Sequence, residues 1–305
     1  MPNERYALID NGDGRRLEAF GALLVDRPAP AATEPRRATD RWTGAASYLA
    51  SGWWDADGSP LGDVSARVSV AGVTLEARPA ASGQVGIFPE HAANADWLAA
   101  ALRRRVAAGA DQAGRADPAA APADAGADPP DVLNLFAHTG LATLVAARAG
   151  GRVVHVDASR PAVGLARRNA ELSDLSDRPI RWIVDDALAF VRRESRRGRR
   201  YAGLVIDPPS YGHGGRGGQP AWVFEERIIE LLDACAGVAD PNAFWLLTTH
   251  TPGWDRDRLA ATLAMATDVR PAEIEGLPLA LEAESGAVLR LGSAARFDPL
   301  GPERR

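Results

Sequence analysis

The stretch Asp207-Pro208-Pro209-Ser210-Tyr211 holds the residues best suited to chemistry. Two successive prolines fix the backbone and cannot donate to a ladder, so the chain must leave its sheet there. The Asp207 carboxylate and the Pro208 carbonyl then point into a cleft. There they can accept hydrogen bonds from a substrate amine and leave its nitrogen lone pair free. Tyr211 can stack on a planar ring. Asp207, Pro208, Pro209 and Tyr211 are the candidate catalytic residues; the alternative is a stiff loop without chemistry.

Three other segments could hold a ligand. Asn134-Leu135-Phe136-Ala137-His138-Thr139-Gly140 enters a helix through a tight turn, which aims backbone N–H groups at a ligand. With only Gly140 present it is not a Gly-x-Gly-x-x-Gly loop, so a cofactor lacking a pyrophosphate fits better than a dinucleotide. His155-Val156-Asp157-Ala158-Ser159 ends in a carboxylate that can accept from both hydroxyls of a ribose, or that can cap the helix announced by Ser159-Arg160-Pro161. Asp185-Asp186-Ala187 is placed to reach an adenine amine, although Asp186 can equally cap the next helix.

These residues need a frame that brings them to one edge. From Asp131 the pattern alternates between short apolar runs and helical periodicity, which predicts a mostly parallel sheet with helices on both faces. Strands are expected at Val132–Phe136, Val153–Val156, Arg181–Val184, Leu204–Ile206, Phe244–Leu247 and Val288–Leu291. Helices are expected at Leu141–Ala149, Pro161–Leu172, Ala187–Arg196, Glu225–Ala236 and Arg258–Ala266. In such a sheet ligands lie across the carboxyl ends of the strands, where all four segments fall. Upstream, residues 1–85 read as a small β-rich domain, with hairpins around Asn11-Gly12-Asp13-Gly14 and Ala71-Gly72. Trp42, Trp53 and Trp54 are expected to plug its core. Residues 86–106 lead into a connecting helix over His91–Val106. Residues 107–130, nearly all Ala, Gly, Asp and Pro, are expected to form a disordered linker. The sheet domain spans 131–296 and a tail 297–305.

Bulk properties narrow the class. The chain has 305 residues, with 46% hydrophobic and 25% charged, as in a soluble globular protein. It has no apolar run long enough for a membrane span and no signal-like N-terminus, so a cytoplasmic location is expected. Cys235 is the lone cysteine, which excludes an internal disulfide and a cysteine zinc site. No His, Asp and Glu run has metal spacing, so no metal is expected. The net charge of −5 gives no global basic footprint, and all 35 basic residues are arginine. Six arginines fall within Arg192–Arg200, but the run lies between a helix and the next strand, at the sheet end opposite the cleft. A solvated helix end accounts for it as well as a phosphate patch does. Gly212–Gly218, with His213 and Arg216, reads as a flap over the cleft. His213 and His250 are polar loop residues near the site by position.

Taken together, Asn134–Gly140, His155–Ser159 with Asn169, Trp182–Ala187 and Asp207–Tyr211 resemble the motifs of class I S-adenosylmethionine (SAM)-dependent methyltransferases. More narrowly, they are similar to the branch related to large-subunit ribosomal RNA cytosine methyltransferases, as is the upstream Gly86-Ile87-Phe88-Pro89-Glu90. The resemblance covers about Gly83 to Leu291 apart from the linker, and implies a Rossmann-like sheet with SAM as cofactor. It implies that Phe136, Ala137, His138, Thr139 and Gly140 hold the methionine end, Asp157 the ribose, and Asp186 and Ala187 the adenine. Asn134, Ala158, Ser159, Asn169, Asp185 and Asp207 complete the expected cofactor-binding set, and Asp207 to Tyr211 would face the target atom. RNA, ribosomal RNA in particular, is the implied partner; oligomeric state is left open.

Two departures keep other readings alive. Cytosine C5 enzymes carry a nucleophilic cysteine just after the fifth strand, where this chain reads Thr248-Thr249-His250 and Cys235 falls in the preceding helix. The first 85 residues are also too few for an additional RNA-binding module. A methyltransferase for a small molecule or protein, and a non-catalytic SAM-fold binding protein, are the alternatives.

Overall fold

Asp13-Gly14 and Ala71-Gly72 all adopt positive φ, the left-handed pair that a two-residue hairpin turn requires. The first pair joins β1 (Tyr6–Gly12) to β2 (Arg15–Phe20). The sheet continues through β3 (Leu23–Pro28), β4 (Ala46–Leu49) and β5 (Gly52–Trp54), in the order β1-β2-β3-β4-β5. The second pair joins β6 (Ala66–Val70) to β7 (Val73–Ala77) in a two-stranded ribbon. The computed structural model describes residues 4–50, 52–115, 128–212 and 222–301. Residues 116–127 of the expected linker, and 213–221 with His213 and Arg216, lie outside the described residues.

Trp53 plugs the β-rich core as expected, whereas Trp42 is half-buried and Trp54 is 38% exposed. That core is shared: Phe20, Val25, Val68 and Leu75 pack with Leu144, Ala170 and Leu175 of the following layer.

The following layer is built from α1 (Ala95–Arg115), β8 (Asp131–Leu135), α2 (Leu141–Arg148), β9 (Arg152–Asp157), α3 (Arg160–Leu172), β10 (Ile180–Val184) and α4 (Ala187–Arg196). It continues with β11 (Tyr201–Ile206), α5 (Phe224–Ala236), β12 (Ala239–Thr249), α6 (Arg256–Thr267), β13 (Glu275–Glu282) and β14 (Val288–Phe297). Seven strands pair in the order β10-β9-β8-β11-β12-β14-β13, the first five parallel and β14 and β13 antiparallel. Successive residues of β8 point to opposite faces: Val132 packs under α1 and α2, and Leu133 under α4, α5 and α6. A strand buried on both faces reads as a near-continuous apolar run, and a polar residue within it, such as Asn134, needs a buried partner. The direction of winding reverses between β8 and β11, and their carboxyl ends lie side by side.

Three boundaries differ from the sequence reading. Pro89 opens a 3-10 turn over Pro89–Asn94, so the helix begins at Ala95 instead of His91 and runs on to Arg115. The Ala-rich residues after Val106 cannot bury a face, yet alanine is the best helix former and extends an anchored helix without burial. Asp298, expected in a tail, is buried against Arg105 at 2.8 Å and Arg104 at 2.9 Å, so the packed domain reaches past 296. Strand β13 carries no clear apolar run because Pro278 interrupts it; it is an edge strand, where a missing N–H is tolerated. Among the described residues no helix is long and apolar enough to cross a membrane.

Candidate active site

The turn after β8 is held in an uncommon shape. Phe136 and His138 have φ of 55° and 48°, and Gly140 has 94°. Left-handed non-glycine residues cost on the order of 1–3 kcal/mol and persist only where the surroundings fix them. The Ala137 N–H donates to the Val156 carbonyl at 3.1 Å, and the His138 N–H to Asp157 Oδ2 at 2.8 Å. The Thr139 hydroxyl donates to the Gly86 carbonyl at 2.5 Å, and Asn169 Nδ2 donates to the Thr139 carbonyl at 2.9 Å. A Cβ on Gly140 would come within 3.1 Å of the Ala166 Cβ, so the loop lies directly on α3.

Asn169 and Asn134, expected at the cofactor, sit beneath this loop. Asn169 is fully buried and its Oδ1 accepts from the Glu76 N–H at 2.9 Å. Asn134 Nδ2 donates to Thr143 Oγ1 at 2.8 Å, which in turn meets His155 Nδ1 at 2.9 Å. Both amides are committed to protein groups, so they shape the loop from below.

Asp157 does not cap α3. Ser159 does, its hydroxyl accepting from the Ala162 N–H at 3.3 Å. The Asp157 oxygens accept from the His138 and Ser159 N–H groups, both at 2.8 Å. Each oxygen keeps a second lone pair for a ligand hydroxyl. Asp186 does cap α4, accepting from the Ala189 N–H at 2.8 Å. Asp185 pairs with Arg193, which therefore reaches back toward the cleft side of the sheet, and Arg192 and Arg196 line the same hollow beside Asp186. Arg192 pairs with Glu230 of α5 at 2.5 Å and Arg197 with Glu194 at 2.9 Å.

After β11, Asp207 stands beside the turn of β8, its N–H 3.4 Å from the Leu135 carbonyl. Oδ1 accepts from the Thr248 hydroxyl at 2.5 Å, and Oδ2 lies 3.2 Å from His91 Nε2. Burial on its own would raise this carboxyl, but His91, His250 and Thr248 hold it well below the usual carboxylate range. Burial likewise disfavours a charged His91, and the adjacent Asp207 outweighs it, raising His91 to about 9. Pro208 is buried; Pro209 is exposed, and its carbonyl accepts from Trp222 Nε1 at 2.7 Å. Trp222 in turn packs on Phe136, ring centroids 5.0 Å apart. Tyr211 is 77% exposed and bridges to Val223 at the mouth.

His91 and Trp222 join the site without a signal in the sequence, and Glu90 stands there only as the end of the Gly86–Glu90 resemblance, with no role. Glu90 and His91 lie in a turn that reads as the start of a helix, and 159 positions separate His91 from His250, its neighbour in space. Cys235 is fully buried near the end of α5, and burial pushes its thiol up, away from the thiolate a nucleophile needs. Thr248 and Thr249, where cytosine C5 enzymes keep their cysteine, are buried hydroxyls.

The strand order, the winding reversal and the acidic residues at the carboxyl ends of β9, β10 and β11 define a class I methyltransferase fold. A solved SAM-dependent methyltransferase from Agrobacterium tumefaciens matches with a TM-score of 0.80 and 32% identity, over 96% of this chain and 90% of that one. The chain belongs to the SAM-dependent methyltransferases. Ribosomal RNA large subunit methyltransferase I of Aeromonas salmonicida is 35% identical over 119 residues, 38% of this chain and 27% of that protein. This chain thus spans only about a quarter of the length of the curated relatives it matches. A methyltransferase from Streptococcus mutans, at 14% identity and a TM-score of 0.68 over 97% of this chain and 75% of its own, shares the fold. No family model matches the chain.

Proposed function

We propose that this chain transfers the methyl group of SAM to a nitrogen of a planar base in RNA, with ribosomal RNA as the substrate. The observation that carries the RNA assignment is the 119-residue match to ribosomal RNA large subunit methyltransferase I. The site chemistry supports nitrogen as acceptor: Asp207 is held well below the usual carboxylate range, Tyr211 is exposed four positions further on, and the lone thiol is buried and pushed up, away from the thiolate a nucleophile needs.

The residues present fit SAM. Asp157 retains free lone pairs for the ribose, and the strained Phe136–Gly140 turn offers a close backbone approach for the methionine end. The cofactor, when bound, supplies the methyl group on a sulfonium that leaves readily. The chain itself positions the acceptor. Asp207 accepts from the substrate amine through the lone pair each oxygen keeps beyond Thr248 and His91. Tyr211 stacks on the base. A small-molecule or protein acceptor would leave the RNA match without a role, and a non-catalytic chain would leave the charged, half-buried Asp207 without one.

Incubation with labelled SAM and either RNA-containing or RNA-depleted lysate tests the assignment. Label should appear in the RNA fraction; label confined to protein or small molecules would displace RNA as the substrate. Replacing Asp157 with alanine should weaken SAM binding about tenfold or more, a loss of ~1.4 kcal/mol from charge-assisted hydrogen bonds. Calorimetry reads this directly, and unchanged affinity would remove Asp157 from the ribose contact. Cys235→Ala should keep methyl transfer to RNA within about threefold, because a buried thiol acts as a small apolar group. A folded, SAM-binding but inactive Cys235→Ala protein would restore covalent attack on cytosine.

A further inference from the structure

Three side chains drawn from two distant segments converge beside Asp207. His250 Nδ1 lies 2.9 Å from the Leu291 carbonyl. A carbonyl can only accept, so Nδ1 carries a proton and turns Nε2 toward the cluster. That Nε2 lies 3.4 Å from His91 Nε2 and 3.8 Å from Glu90 Oε1. Asp207 Oδ2 closes on His91 Nε2 from another direction at 3.2 Å. Glu90 is 2% exposed, and its Oε2 has no hydrogen-bond partner at all. A buried carboxylate oxygen left without a donor is costly, and such atoms call for an unseen partner.

We propose that Glu90, His91 and His250 bind a divalent cation of the zinc class, next to Asp207, which pairs with His91. Their ligand atoms already lie within 4.8 Å of one another; zinc at about 2.0–2.2 Å from each tetrahedral ligand sets them about 3.3–3.6 Å apart, close to the 3.4 and 3.8 Å between His250 and its two neighbours and reached by a closure of about 1 Å for the widest pair. Two imidazoles and carboxylates suit zinc better than magnesium or calcium, which prefer all-oxygen shells. The hydrogen bond from His250 Nδ1 to a backbone carbonyl is the outer-shell contact that fixes a metal-ligating ring in its tautomer. Phe88 packs against the rings of His91 and His250, at 6.2 and 6.1 Å between centroids, and supplies an apolar wall. A bound cation would give Glu90 the partner it lacks.

The test is calorimetric titration of the chelator-treated full chain with zinc, followed by cobalt substitution read by visible absorption. The wild-type protein should take up one equivalent and show the d–d bands of a four-coordinate nitrogen and oxygen site. His91→Gln, His250→Gln and Glu90→Gln should each weaken zinc binding by about tenfold or more, with melting temperature and SAM affinity as checks that each still folds. Cys235→Ala, which removes the sole thiol, should bind zinc as the wild type does. Less than half an equivalent on the wild-type chain would overturn the proposal. So would zinc affinity unchanged in the folded His91→Gln and His250→Gln proteins. If those variants unfold, the cobalt spectrum of the wild-type protein decides alone, and bands of an octahedral aquo ion would count against the site.

Discussion

Replacing Asp207 with alanine is expected to slow methyl transfer to RNA by about 10²-fold or more, roughly 3 kcal/mol for a lost positioning contact. SAM affinity should stay within about threefold, since the ribose is assigned to Asp157. The carboxylate is delivered by the last turn of β11, held on one side by the Thr248 hydroxyl and on another by His91. It is therefore fixed in place before any substrate arrives, and its charge is maintained against burial by those neighbours. A fixed, ionised acceptor can draw an amine proton and leave the nitrogen lone pair facing the cofactor. Asp207→Asn keeps the shape and loses the charge, so it should also be slow. Rates with labelled SAM and RNA, alongside SAM calorimetry on each variant, separate chemistry from cofactor binding. Near-normal turnover in folded Asp207→Ala would remove this residue from the reaction.

The parallel sheet is legible in the sequence because its inner strands β9, β8, β11 and β12 are buried on both faces and so read as short apolar runs with a polar residue at the end. Asp157, Asp185 and Asp207 each stand at or just past the end of such a run, which is where a doubly wound sheet meets its ligand. The contribution of segments far away in sequence is not legible in this way. Asn134 and Asn169 sit in the right motifs, yet both turn inward, because a left-handed loop on buried strands needs donors and acceptors beneath it. Glu90 and His91 carry no local signal of a role: their turn is made by Pro89, and their importance comes from meeting His250 across the fold. Arg193 shows the reach of a long side chain. Its backbone lies in α4, but its guanidinium returns to Asp185 at the cleft end. The helix past Val106 is hidden when composition is weighed on burial alone, because alanine needs no burial to stay helical once a helix is anchored.

Removal of the Glu18 carboxylate should have the largest effect on stability. Glu18 and Arg27 are 0% and 1% exposed, and they form a two-pronged pair: Arg27 Nε to Oε2 at 2.6 Å and Nη2 to Oε1 at 3.2 Å. Arg16 lies 3.3 Å from Oε2, and the Tyr6 hydroxyl donates to Oε1 at 3.1 Å. Burial would by itself raise this carboxyl, and Arg27 with Arg16 keeps it below its usual range, so it is an anion between two cations. Glu18→Ala leaves two buried guanidiniums without their counter-charge, which costs about 3–5 kcal/mol. Against a total stability of roughly 5–15 kcal/mol this is a large share. The damage should also reach the site. Arg27 Nη1 donates to Gln84 Oε1 at 2.9 Å, and two residues on, the Gly86 carbonyl holds Thr139 of the strained turn. Urea unfolding of Glu18→Ala should therefore show a much lower midpoint, and calorimetry on the protein that remains folded should show weaker SAM binding. Glu18→Leu combined with Arg27→Leu and Arg16→Met should recover much of the lost stability, because removing all the charges together leaves none stranded. A single Glu18→Ala loss below about 1 kcal/mol would mean that water reaches the arginines, and that this cluster does not anchor the β-rich sheet.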